Sequence, residues 1–132
     1  MSKFSDALKS VNVTRENKPV ELVDIYDEPI GLEVTIGPRS SKRYHAAERR
    51  FQDRLGSGRK VSAKQKAEMF DELHLARVES WRFYGRLESL GQPELNTPNL
   101  KDFFIESGED GRSLFIQLKA AISDYDENFP ED

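Results

Sequence analysis

At 132 residues, with 36% hydrophobic and 33% charged side chains, the chain is sized for one small domain and is too short for a two-domain enzyme. Eight Phe, four Tyr and one Trp are too many for a wholly disordered chain, and the lack of cysteine removes disulfides, thiolate metal sites and cysteine nucleophiles together. The formal net charge of −4 favours solubility and argues against a generic nucleic-acid binder.

Charge is unevenly spread along the chain. Residues 39–66 hold ten basic side chains against Glu48 and Asp53, an excess of eight, whereas residues 101–132 hold three basic against nine acidic, an excess of six the other way. No stretch approaches the roughly 20 apolar residues needed to cross a bilayer, and the start Met1-Ser2-Lys3-Phe4-Ser5-Asp6 has no apolar signal run. The expectation is a soluble cytoplasmic protein without membrane contact.

Residues 1–18 read as an N-terminal arm with at most a short helix, because Phe4, Leu8 and Val11 are followed by the polar run Thr14–Lys18. Residues 19–132 read as a single domain with an acidic C-terminal tail. From Val20 the pattern is that of a strand, with a slip of one residue between Leu22 and Val23 that predicts a bulge. After the turn residues Asp27-Glu28-Pro29, Ile30, Leu32, Val34 and Ile36 alternate with Gly31, Glu33, Thr35 and Gly37, so the two segments predict a β-hairpin.

A hairpin alone is marginal in water and must be covered by helices. Ser40 or Ser41 can cap a helix in which Tyr44, Phe51 and Leu55 form one stripe, stopped by Gly56-Ser57-Gly58. Ser62-Ala63-Lys64-Gln65 is a capping box, and Ala67, Phe70, Leu73, Ala76 or Arg77, Trp81 and Tyr84 follow at helical spacing. This predicts the longest helix of the chain, interrupted but not ended at Gly85 and stopped by Gly91-Gln92-Pro93. Thr97 as cap and Pro98 as first residue open a short helix with Leu100, Phe103 and Phe104 inward, stopped by Ser107-Gly108. Phe115, Leu118, Ile122 and Tyr125 define a last helix. The predicted fold is α+β and mostly helical, one β-hairpin packed against about three main helices.

No catalytic, cofactor or metal constellation emerges. Gly56-Ser57-Gly58-Arg59-Lys60 lacks the glycine spacing, the Lys-Ser/Thr ending and the preceding strand of a phosphate loop and reads as a linker. His45 and His74 have no second ligand at i+4, Asp124-x-Asp126-x-Asn128 lacks the glycine and the final glutamate of a calcium loop, and no Gly-x-Ser-x-Gly elbow is present. What remains is the basic helix. Arg43, Arg50 and Arg54 fall on nearly one face beside Tyr44 and Phe51, and these five residues are the candidate partner-binding surface. A face of like charges calls for an acidic neighbour: phosphate, an acidic client protein, or the acidic end of a second subunit. A merely solvated face is the alternative. The protein reading is preferred over nucleic acid because the patch has no interleaved stacking aromatics.

The order of parts carries a resemblance: a strand pair, Gly37-Pro38-Arg39-Ser40, an Arg-rich helix with Ala46-Ala47 and Arg49-Arg50, and a helix bearing the lone Trp81. Gly91-Gln92-Pro93, Thr97-Pro98-Asn99-Leu100, a closing helix and Asp126-Glu127-Asn128-Phe129 follow. From about Val20 to Phe129 the chain resembles the tail assembly chaperones of long-tailed, lambda-like bacteriophages. The resemblance rests on spaced single residues, with Trp81, Pro93, Thr97, Pro98 and Phe129 matching mostly structural positions.

That resemblance implies a non-enzymatic protein of the host cytoplasm, not carried in the mature virion. It implies one that keeps the tape measure protein soluble while tail tube subunits assemble around it. It further implies a frameshifted longer form that engages the tail tube protein, and self-association into a spiral homo-oligomer. The oppositely charged segments give an independent reason to expect head-to-tail contact. The alternative reading is a nucleic-acid-binding regulatory protein using the helix at 41–55.

Overall fold

The computed structural model describes residues 19–58 and 60–128. The arm at 1–18 and the end of the acidic tail, with Phe129, therefore lie outside the described residues. Strands β1 (Pro19–Val23), β2 (Pro29–Ile36) and β3 (Val78–Phe83) form one antiparallel sheet in that order. Helices α1 (Lys42–Leu55), α2 (Ala63–Leu75), α3 (Thr97–Phe104) and α4 (Gly108–Asn128) and a 3₁₀ helix at Gly85–Leu90 complete the α+β, mostly helical fold.

The hairpin forms as its alternation requires. Leu32, Val34 and Ile36 are buried from β2, and the register of β1 on β2 shifts between Glu21 and Val23, at the predicted bulge. Gly31 is required by space as well as conformation, because at φ 96° a Cβ there would lie 2.1 Å from the Tyr84 carbonyl oxygen.

The long helix predicted from Ser62 to beyond Tyr84 is not what forms. The capping box is present, with the Gln65 N–H donating to Ser62 Oγ and the Ser62 N–H donating to Gln65 Oε1, but α2 ends at Leu75 and residues 78–83 join the sheet beside β2. Two features make this segment readable either way. The register shift between Thr35 and Ile36 breaks strict alternation in β3, so Val78 and Phe83, five residues apart, are both buried and the apolar spacing imitates a helix. The residues themselves, Val78, Trp81, Phe83 and Tyr84, favour strands, and pairing with the open edge of β2 decides the outcome. The hairpin thus becomes a three-stranded sheet.

Two glutamine side chains pair with strand backbone. Gln92 donates to the Phe83 carbonyl at 2.6 Å and accepts from its N–H at 3.1 Å, and Gln117 does the same at Val23 at 2.7 and 2.9 Å. The core joins Leu22 and the β2 residues to Leu75, Val78, Phe83, Leu100, Phe104, Phe115, Leu118 and Ile122. Phe103 and Phe104 meet Trp81, Phe83 and Phe115 edge-on or tilted, and the Trp81 indole donates to the Pro93 carbonyl at 2.9 Å. Asn96, one residue before the predicted cap Thr97, caps α3: its side chain accepts from the Asn99 N–H at 2.8 Å, which puts Pro98 in the first turn.

Candidate functional site

Helix α1 begins where Ser41 Oγ accepts the Tyr44 N–H and ends at Gly56, whose N–H satisfies the Gln52 carbonyl. Only Ala47 of the helix is buried. Its main neighbour is α2, which runs back after the 56–62 link. The Phe51 and Phe70 rings meet with centroids 5.0 Å apart, while Phe70 remains 51% exposed. An open groove of about 790 Å³ lies between the two helices. Ala47, Phe51 and Met69 give it an apolar floor, Arg50, Arg54 and Asp53 stand on the α1 side, and Glu68 and Glu72 stand on the α2 side. A neighbouring hollow that shares Arg50 and Glu72 reaches Thr97, Pro98 and Lys101 at the start of α3, where Lys101 pairs with Glu72 at 3.1 Å.

Of the five residues singled out from sequence, Arg50, Phe51 and Arg54 come together here. Arg43 and Tyr44 do not. Arg43 Nη2 donates to the Leu95 carbonyl at 2.9 Å, and Tyr44 lies 5.7 Å from the Arg77 guanidinium. The helical angle is shared, but the first turns of α1 press on the loop before α3, whereas the later turns stand beside α2 and solvent. Glu68, Met69 and Glu72 complete the groove and were not singled out from sequence. Their i, i+1 and i+4 spacing with Gln65 at i−3 places them on one side of α2, a signal that needs the helix pairing to be interpreted.

The basic excess of residues 39–66 is not one uniform surface. Arg39 pairs with Asp126 at 3.1 Å, Arg43 is tied to Leu95, and the arginines of the groove face glutamates across it. Asp71, on the same helix as those glutamates, is held above the usual carboxylate range chiefly by burial, opposed by Lys119 and His74.

Beneath the start of α1, Arg77 is buried with 3% exposure. Its Nε donates to the Gly37 carbonyl at 2.9 Å, and its two terminal nitrogens donate to the Asp126 carboxylate at 3.0 and 2.6 Å. The Tyr44 and Tyr125 rings each lie 5.7 Å from its guanidinium carbon. The hydrogen bonds from Arg77 hold the Asp126 carboxyl below its ordinary range, with its charge and that of Arg39 adding to the effect. This joint fixes the base from which α1 projects. Asp126, read from sequence as part of the acidic C-terminal tail, is instead a structural counterion.

Among the described residues there is no group of three or more His, Cys, Asp or Glu side chains placed to hold a metal ion, and no helix is long and apolar enough to cross a membrane. No protein-family model, curated protein or solved structure matches the chain.

Proposed function

We propose that this protein is a tail assembly chaperone of a long-tailed bacteriophage. In that role it binds the tape measure protein, keeps it soluble and helps recruit tail tube subunits. One observation carries the reading: the α1–α2 groove has an apolar floor between an α1 wall, where Arg50 and Arg54 outnumber Asp53, and an α2 wall that carries Glu68 and Glu72. An amphipathic client helix would lay its apolar stripe on Phe51 and Met69 and pair acidic and basic flanks with Arg50 and Arg54 on one side and Glu68 and Glu72 on the other. The resemblance in residue order to such chaperones points to the same role, with the difference that Trp81, placed on a helix in that resemblance, lies on β3.

The proposal includes action in the host cytoplasm without catalysis, absence from the mature virion, and self-association into a spiral array. It also includes contact with the tail tube protein through a longer, frameshifted form. The glutamates facing Arg50 and Arg54 favour a protein helix over phosphate, so the nucleic-acid reading is the weaker of the two.

Co-expression with a phage tape measure protein tests the reading. The expected result is a soluble client that co-purifies with this chain. A client that stays insoluble with both this chain and its longer form would overturn the proposal.

A further inference from the structure

A second apolar hollow, of about 530 Å³, opens between the β1–β2 turn, the 3₁₀ helix, the end of α3 and the first turns of α4. Val23, Ile25, Ile30, Leu87, Phe103 and Leu114 give it its apolar lining. Its turn side is held in place, because Asp24 Oδ1 accepts from the N–H groups of Tyr26 and Glu28 at 2.8 and 3.0 Å. The charged side chains in the lining are Asp24, Arg86 and Asp110. Arg86 donates to Asp24 Oδ2 at 2.9 Å, so the charge left over is that of Asp110. The exposed residues next to the lining in the chain add to the same sign, with Asp27, Glu28 and Glu109 against Arg112. The hollow therefore suits an apolar side chain carried on a basic segment.

We propose that the hollow receives Leu55 of a second copy of this chain. Leu55 ends α1 where the chain turns toward α2, and it is 45% exposed. Residues 54–66 around it hold Arg54, Arg59, Lys60, Lys64 and Lys66 and no acidic residue. The other exposed large apolar side chains do not combine these features. Ile25 and Tyr26 lie between Asp24 and Asp27, Phe70 precedes Asp71 and Glu72, Leu90 stands two residues after Glu88, and Ile116 lies along the body of α4. Leu55 enters the apolar lining while Arg54 faces Asp110. No residue of α1 or α2 lines the hollow of its own chain, so the contact joins two copies. Leucine and hollow are different surfaces, so each added copy leaves one of each open and the contact propagates head to tail. One leucine and its basic neighbours cover far less than the roughly 800 Å² per partner of a stable pair, so the contact is weak between two copies and tightens where several are held on one client. The contact supplies the surfaces for the self-association in the proposed function and, as an inference, rests on that part of it.

The chain has no cysteine, so Ser57→Cys near Leu55 and Ser113→Cys in the lining give two defined coupling points for a short bismaleimide. A chain carrying both is expected to yield a ladder of linked dimers, trimers and higher species that grows with protein concentration. Chains carrying only one of the two are expected to stay unlinked alone and to link to each other when mixed. Adding Leu55→Ser or Asp110→Lys to the doubly substituted chain is expected to remove the ladder, while far-UV circular dichroism reports that the fold is kept. A ladder unchanged by Leu55→Ser would overturn the proposal. The lack of any ladder would overturn it too: if sedimentation equilibrium still finds oligomers, the surfaces are wrong and self-association stands, and if it finds monomers throughout, both fail. Coupling of position 113 to a co-expressed tape measure protein in place of position 57 would assign the hollow to the client and likewise overturn it.

Discussion

Arg77 and Asp126, 49 residues apart, form a two-point ion pair at 2.6 and 3.0 Å in which the arginine is almost wholly buried and the aspartate side chain is 28% exposed. The pair ties the start of β3 to the end of α4. A reciprocal backbone contact, Gly37 N–H to the Arg77 carbonyl at 2.7 Å, ties the same residue to the end of β2. The inequality in exposure sets the outcome of truncation. Asp126→Ala leaves a buried cation without its counterion and is expected to cost about 2 kcal/mol, below the range for fully buried pairs because water reaches Asp126. Arg77→Met leaves a carboxylate that can turn to solvent and to Arg39, so its cost is expected to be smaller. Urea denaturation of the two variants against the parent measures both.

The same pair fixes the direction of a pH effect. The Asp126 carboxyl titrates below its ordinary value in the folded chain, so the native state binds fewer protons than the unfolded one in the acid range. Its contribution is fully present above the ordinary aspartate value of about 3.9 and is lost as pH falls through the lower native value. Asp71 has the opposite sign. Burial raises its value, so its ionised form burdens the native state near neutrality. Asp126→Asn is expected to flatten the acid limb of stability against pH. Asp71→Asn is expected to raise stability near neutrality, a gain that fades as acid protonates the parent's Asp71. Urea midpoints between about pH 2 and 7 separate the two effects.

Glycine substitutions separate lack of space from backbone strain. Gly31 and Gly85 both have positive φ, but a Cβ at Gly31 collides with the Tyr84 carbonyl whereas one at Gly85 meets nothing within 4 Å. Gly85→Ala is expected to cost about 1 kcal/mol, the left-handed penalty alone. Gly31→Ala adds a backbone clash inside the sheet and is expected to cost about 3 kcal/mol or more. Thermal melts of the two variants distinguish these costs.

Local chemistry made much of this fold readable. Ser41 and the Ser62–Gln65 box start their helices, Gly56 stops α1, and the alternation of Leu32, Val34 and Ile36 buries one side of β2. What could not be read was decided by distant partners. Trp81 belongs to a strand because β2 lies beside it, and the extra β3 residue Glu79, between Val78 and Ser80, hid the alternation that would have announced it. Gln92 and Gln117 act on backbone 9 and 94 residues away, and nothing near them in sequence announces those bonds. The candidate groove was half legible: one charged face of α1 was visible in the spacing of Arg50 and Arg54, but the facing glutamates required knowing that α1 and α2 lie side by side.

The groove's two walls make a prediction that a simple basic patch would not. Arg50 and Arg54 are exposed, so Arg50→Glu with Arg54→Glu is expected to change stability by no more than about 0.5 kcal/mol. If an amphipathic client helix pairs with both walls, this variant presents acid on both sides and is expected to lose client capture. Adding Glu68→Lys and Glu72→Lys, with Lys101→Glu so that the 3.1 Å pair between positions 72 and 101 keeps opposite charges, exchanges the signs of the walls while preserving their opposition. An amphipathic client able to lie in either direction would then be captured again, whereas a phosphate ligand attracted only by α1 would recover only in part, because the lysines stand on the other helix. The soluble fraction of a co-expressed tape measure protein reads the first case, and salt-dependent retention on an immobilised duplex reads the second. Full recovery of client solubility in the charge-exchanged variant, with no duplex retention, is the result expected from a helix-binding groove.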